Sequence, residues 1–234
     1  MLSLGELTQS EFNLLGVVGE EELVRAMDTA NPAAKQNFAR SIKLFSKSRS
    51  QLPSARSRGE LEKRLHMLPR ETQEGLVRQT LQATDKNYYV TKDISGSKVQ
   101  KMFRDDDTKV TGMSNISSGK LEKGYHFMLT AIALQVGFAA QGESVHQVNF
   151  ARIPDFIRNG EFEFLANGAT MIQASGMEVF NVEKEGEFIG QYNLDNPKLI
   201  KDQQAIELNM EWGFNAPEGT WARVYLIGTT VIKS

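Results

Sequence analysis

The sequence predicts an α+β protein in which a helical N-terminal region precedes an eight-stranded antiparallel β-sandwich. Residues 1–85 carry apolar side chains at helical spacing, whereas residues 121–234 alternate apolar and polar side chains with a period of two. Turn signals separate the alternating runs at short intervals, as in all-β sandwiches. Residues 86–120 show neither period and are predicted as a linker or long loop.

Three features define the expected helical region. Asn31-Pro32 is a helix start signal, because a capping residue precedes a proline at the first helical position. Further helices are expected over about Arg58–Met67 and from Pro69 to about Ala83. The side chains expected to face inward are Phe38, Ile42, Phe45, Leu61, Leu65, Leu68, Leu76, Val77 and Leu81.

Eight strands are expected after residue 120. They are Tyr125–Val136, Val145–Phe150, Glu161–Leu165, Ala169–Gln173, Met177–Val182, Glu187–Tyr192, Gln203–Gly213 and Thr220–Ile232. Asn167-Gly168 predicts a tight hairpin, since both turn positions need positive φ and this pair tolerates it. The last two strands are expected to pair with each other as a closing hairpin. In the strand Tyr125–Val136, one face is expected to carry Met128, Thr130, Ile132 and Leu134.

Charge is distributed unevenly along the chain. Residues 32–70 carry ten Lys and Arg against two Glu, a net charge of +8, although the whole chain has a formal charge of −2. Such a block neutralises the phosphates of nucleic acid or anionic lipid, and it equally suits pairing with acidic surfaces within or between subunits. The candidate polyanion-binding residues are Lys35, Arg40, Lys43, Lys47, Arg49, Arg56, Arg58, Lys63 and Arg64.

The sequence offers no catalytic signature. It has no cysteine, no phosphate-binding glycine loop and no nucleophile elbow, and its three histidines lack metal-ligand spacing. Glu161 with Glu163, and Glu207 with Glu211, share strand faces as the carboxylates of a glycosidase do, but a solvated strand face has the same pattern. We therefore expect no enzyme, no cofactor and no metal.

Two observations bear on location. No apolar run reaches the length of a membrane span, and residues 1–6 lack the basic and apolar segments of a secretory signal. The chain is therefore expected to stay in the compartment where it is made.

The run Tyr125–Ile232, with its Asn167-Gly168 hairpin, follows the basic block Lys35–Arg70. This arrangement resembles the single jelly-roll coat proteins of icosahedral viruses and phages. The resemblance implies a virion protein, made in the host cytoplasm, that assembles with copies of itself and with other virion proteins. It also implies that the basic helical segment faces nucleic acid, membrane or neighbouring subunits.

The alternative is a β-sandwich module that binds a carbohydrate or another ligand. Trp212, Trp221 and Tyr225 would then form an aromatic stacking platform. Burial of both tryptophans in a core or an interface is the competing interpretation of the same residues.

Overall fold

The computed structural model describes residues 56–140 and 143–233. The described residues fall into two compact units, 56–84 with 231–233 and 85–230. The helix predicted at Asn31-Pro32 and its stripe Phe38, Ile42 and Phe45 lie outside the described residues.

The first unit contains two short helices. Helix α1 spans Arg56–Lys63, helix α2 spans Arg70–Val77, and a 3₁₀ turn at Leu65–Met67 separates them. Leu61 and Leu68 are buried as predicted, whereas Val77, which was also predicted to face inward, is 65% exposed. Helix α2 ends several residues before the predicted Ala83, because Gln79 adopts a left-handed φ of 61° and strand β1 begins at Leu81.

Within the described residues, eight strands form two four-stranded sheets. The strands are β1 (Leu81–Asp93), β2 (Val99–Met102), β3 (His126–Phe138), β4 (Glu161–Ala166), β5 (Ala169–Gly176), β6 (Gln191–Ile200), β7 (Ile206–Glu211) and β8 (Thr220–Lys233). Sheet A has the order β1-β8-β3-β6 and sheet B the order β2-β7-β4-β5. The short helix α3, Asp155–Arg158, lies in the β3–β4 connection.

The two sheets enclose one apolar core. Val90, Leu134 and Val224 of sheet A belong to the same buried cluster as Phe162 and Leu208 of sheet B. The alternation predicted for this part of the chain therefore has its expected consequence, since every second side chain of a strand points between the sheets. The described residues therefore confirm the predicted antiparallel β-sandwich.

The predicted tight turn is present between β4 and β5. Ala166 pairs with Ala169, and the two residues between them, Asn167 and Gly168, have φ of 52° and 75°. These positive values are those of a type I′ turn, whose twist matches that of the flanking strands. The Asn167-Gly168 pair was thus sufficient to predict this turn from the sequence.

Two predicted strands are not strands, and a third, Glu187–Tyr192, coincides with β6 only at Gln191 and Tyr192. Val145–Gln147 and Met177–Phe180 each form a 3₁₀ turn, because they belong to long connections that cross from one sheet to the other. The eight strands are completed instead by β1 and β2. Strand β1 begins in the region 1–85 that we expected to be helical, but most of β1 and all of β2 lie in the stretch 86–120, where we expected a linker or long loop. That stretch is well buried at Ile94, Met102 and Phe103.

The expected closing hairpin is also wrong. Strand β7 lies in sheet B and β8 in sheet A, and β7 pairs with β2 and β4. Both strands do alternate as predicted, but alternation shows only that a strand has one buried face. It does not identify the partner, which depends on how the connection 212–219 runs.

Strand β3 changes phase in its middle. Its pairing with β6 shifts in register between Leu129 and Ala131. Phe127 and Leu129 face the core before the shift, and Ile132 and Leu134 face it after the shift. Met128 was predicted on the same face as Ile132, but the two residues lie on opposite faces. A bulge inserts an extra residue and inverts every later side chain.

Candidate interaction surfaces

The predicted cations are described only in part. Lys35, Arg40, Lys43, Lys47 and Arg49 lie outside the described residues, and Arg56 and Arg58 are placed only as backbone of α1. Whether these nine residues bind a polyanion stays a prediction.

Lys63 and Arg64 are the two candidates whose side chains are described. Both donate to the carboxylate of Glu60 one turn earlier in the chain. Burial alone would raise the pKa of Glu60, but the hydrogen bonds and positive charges of Lys63 and Arg64 hold this pKa below its usual value. These two cations are thus already neutralised in part by a residue of their own segment.

The four sheet edges are obstructed in the part of the chain that the structure describes. Residues 113–115 run along β1, where Thr91 N–H donates to Met113 O and Asn115 N–H to Tyr89 O. Strand β2 has only four residues, β5 is irregular in its pairing with β4, and β6 contains Pro197 directly after its exposed residues Asp195 and Asn196. Such features oppose edge-to-edge pairing between sheets.

One end of the sandwich carries the connections 94–98, 139–160, 177–190 and 212–219. Gly96 N–H donates to Ala216 O at 2.9 Å, and the indole N–H of Trp212 donates to Ser97 O at 2.9 Å. Met177 N–H donates to Gly160 O at 2.9 Å, which joins two further connections. We call these four connections the loop end. Its backbone is held by contacts between connections, so it presents a defined surface.

Three exposed phenylalanines lie in the loop end or directly beside it, and one of them is Phe188, which is 37% exposed. Phe138, where β3 ends, is 54% exposed, and Phe214, in the 212–219 connection, is 55% exposed. The Phe214 ring packs on that of Phe156 in α3, with centroids 5.2 Å apart. Aromatic side chains are enriched where one protein contacts another, which makes these residues candidate contact points.

The outer face of sheet B is acidic. Glu161 of β4 is the register partner of Glu211 of β7, and Glu163 is the partner of Asn209. Glu207 forms an ion pair with Lys101 of β2 at 2.7 Å. The carboxylates considered as a catalytic pair therefore lie along an open, solvated sheet face.

The three aromatic residues of the ligand-binding alternative do not come together. Trp212 is 3% exposed and belongs to the core cluster. Trp221 and Tyr225 instead alternate with buried residues of β8, on the outer face of sheet A. A platform that includes Trp212 is therefore excluded by its burial.

The histidines are equally dispersed. His126 is buried, with its Nδ1 accepting the backbone N–H of Asp202 at 3.3 Å, while His66 and His146 are exposed. Within residues 56–140 and 143–233, no three His, Asp or Glu side chains are grouped as they would be around a metal ion. In the same residues, no helix has the length and apolar character needed to span a membrane.

One cluster that was not predicted from the sequence lies on the outer face of sheet A, around Arg223. The guanidinium carbon of Arg223 lies 3.8 Å from the ring centroid of Phe150, and Arg223 Nε donates to Thr91 Oγ1 at 2.9 Å. Tyr225, two residues on, contacts the rings of Tyr89 and Phe188. The only sequence signal was the row Trp221, Arg223, Tyr225 at alternate positions of one strand.

Comparison with known proteins adds no family: no protein-family model matches this chain, and no curated protein matches its sequence.

Proposed function

We propose that this chain is a structural virion protein of the coat type, which assembles with copies of itself through its jelly-roll sandwich. The observation that carries the proposal is the strand order. Strand β1 neighbours β8, β2 neighbours β7, β3 neighbours β6 and β4 neighbours β5. A long antiparallel ribbon with its tip at Asn167-Gly168 gives these pairs when it wraps into two sheets, which is the jelly-roll connectivity.

The jelly-roll fold serves several functions, so the surface must support the choice. The obstructed edges direct contacts between subunits away from sheet extension and toward faces and loops. Phe138 and Phe214 give the loop end an apolar surface for such contacts. A coat subunit needs contacts of this kind, because a shell is built from repeated interfaces between identical chains.

The charge distribution supports a nucleic-acid partner for the shell. Residues 32–70 have a net charge of +8, whereas residues 121–234 have eight bases and fourteen acids. A basic segment attached to an acidic body binds phosphate through one part only, and that binding weakens as salt rises because counterions are released.

The first test is the mass of the full chain in solution. Analytical ultracentrifugation and negative-stain microscopy over a range of salt and protein concentrations should detect oligomers or closed particles. The double variant Phe138→Ser, Phe214→Ser should shift the distribution to smaller species. Val110→Ser, which removes a 48% exposed apolar residue outside the loop end, is the matched control. A monomer under every condition would refute the proposal.

The second test addresses the basic block. The full chain with Arg40, Lys43 and Lys47 changed to Gln should bind single-stranded nucleic acid more weakly than the parent. Its log K against log salt slope should become shallower by roughly 0.7 for each phosphate contact removed. Changing the exposed Lys98, Lys123 and Lys184 to Gln gives the same net charge as a control. Equal effects of the two triple variants would argue against a role of the block.

A further inference from the structure

Arg223 is held in place by neutral groups. Its Nε donates to Thr91 Oγ1 at 2.9 Å, and one of its Nη2 hydrogens is directed to Gly112 O at 3.3 Å. Its guanidinium plane covers the Phe150 ring at 3.8 Å. Gly112 has a φ of +83°, a conformation that suits glycine and directs this carbonyl to the arginine.

Arg223 differs from the other arginines in its charge balance. Arg64, Arg70, Arg78, Arg104, Arg152 and Arg158 each form an ion pair with an Asp or Glu. Among the arginines whose side chains the structure describes, Arg223 alone has no carboxylate within ion-pair distance. Its positive charge is therefore positioned but not neutralised.

This arrangement of Arg223 suits the binding of an anion. A guanidinium has five N–H groups, and the two hydrogen bonds above use two of them. A partly buried charge without a counter-ion is unfavourable, and an anion that accepts the remaining N–H groups removes that cost. Because the neutral contacts already fix the fork, little side-chain entropy is lost on binding.

The surroundings of Arg223 specify the kind of anion. His146, an exposed side chain, lies so close to Gly112 that a Cβ added there would be 2.6 Å from its Nδ1. Trp221 and Tyr225 share the outer face of β8 with Arg223, and Phe188, which contacts Tyr225, is 37% exposed. An arginine among partly exposed aromatic rings is typical of sites that hold a phosphate and stack the neighbouring bases.

We propose that Arg223 is the centre of a phosphate-binding site on the outer face of sheet A that takes the backbone of single-stranded nucleic acid, with Trp221 and Phe188 stacking its bases. The choice of nucleic acid, rather than free phosphate, rests on the proposed function. The site itself is independent of assembly and of the basic block.

Trp221 provides the measurement, since it is two residues from Arg223 on the same strand face. Titration of the full chain with a short single-stranded thymidine oligonucleotide should quench tryptophan fluorescence, and Trp221→Phe should abolish the change while Trp212 remains. Arg223→Gln should weaken binding roughly tenfold, as expected for the loss of charge-assisted hydrogen bonds to phosphate. Arg152→Gln, with the same change in net charge, should change affinity less than twofold.

Arg223→Lys keeps the charge but removes the planar fork, so it should weaken binding several-fold while Arg152→Lys does not. This variant decides the question if Arg223→Gln fails to fold, which thermal unfolding will show. Inorganic phosphate that competes with the oligonucleotide equally well would reduce the site to a free-phosphate site. Equal affinities of the Arg223 and Arg152 variants, or no Trp221 signal, would overturn the proposal.

The outcome is distinguishable from that of the proposed function. Arg223→Gln chains should still assemble, as ultracentrifugation and microscopy will report. A parent chain that binds the oligonucleotide but stays monomeric would refute the coat function and leave the site standing. Loss of binding with assembly retained supports the site as a separate feature.

Discussion

The two outer faces of the sandwich are built from strands with the same alternation but have different surroundings. On sheet A, Val148 packs on Gly137, and Gln135 donates to Ile189 O from under the 177–190 connection. On sheet B, Glu161 and Glu211 face solvent. The outer face of sheet A is covered in part by its own connections, and that of sheet B is open. A polar or small residue on the outer face of a sheet is therefore exposed only where no connection crosses that residue.

The length of the connections explains the contrast. The connections 103–125, 139–160 and 177–190 are long enough to contribute segments that cover sheet A, as Gly112, Phe150 and Phe188 do around Arg223 and Tyr225. Strands β4 and β5 of sheet B are joined by only two residues. Short connections leave the sheet face bare.

The largest expected effect contrasts the two sides of sheet B. Phe164 is 0% exposed between the sheets, whereas its neighbour Glu163 points outward. Phe164→Ala should lower the free energy of unfolding by about 3–5 kcal/mol because it leaves a cavity. Glu163→Ala should change it by less than about 0.5 kcal/mol. Urea unfolding measures both, and similar losses would contradict an open outer face.

The next effect tests the cover on sheet A. A Cβ at Gly137 would lie 2.4 Å from Val148 Cγ1 and 2.8 Å from Asn149 O. Gly137→Ala should therefore destabilise by about 1–3 kcal/mol through overpacking. Gly176→Ala on β5 is the control, because nothing lies within 4 Å of its added Cβ. It should be neutral or stabilise by up to about 1 kcal/mol. A tolerated Gly137→Ala would mean that the cover yields easily.

Acid should act on sheet A through His126. Burial lowers the pKa of His126, the Asp202 carboxylate offsets part of this shift, and Lys201 adds to it. The unfolded chain therefore binds a proton that the folded chain refuses. Stability is complete above the unfolded pKa of about 6.5 and falls as pH decreases below it, by up to about 1.4 kcal/mol per pH unit.

The measurement for His126 is the urea midpoint between neutral and mildly acidic pH. His126→Gln should flatten the dependence in this range, and His66→Gln, at an exposed position, is the control. Identical pH profiles for the parent and His126→Gln would assign the dependence to other groups.

The smallest effect concerns charge on the bare face. Glu161 and Glu211 are directly opposed, and like charges in such a pair are destabilising. Glu211→Lys should raise stability by about 0.5 kcal/mol at low salt, with the gain shrinking as salt is added. Glu218→Lys, in the exposed 212–219 connection, makes the same charge change and should add less. Equal gains would indicate a general charge effect.

The sequence determined those features that depend on neighbouring residues alone. Asn167-Gly168 specified its turn because only residues that tolerate positive φ suit it. The alternation of Ile206–Glu211 specified a half-buried strand, since successive side chains point to opposite faces. The sandwich and its closing strands could be predicted for this reason.

Only the tertiary structure decided which strands pair and which outer face is covered. Three features depend on contacts between residues that are distant in the chain. They are the pairing of β7 with β2 and β4, the bulge in β3, and the 3₁₀ turn at Val145–Gln147 in place of the predicted strand. Arg223 shows the same limit. Its neighbours Thr91, Gly112 and Phe150 are between 73 and 132 residues away, so no local pattern reveals that it lacks an acid partner.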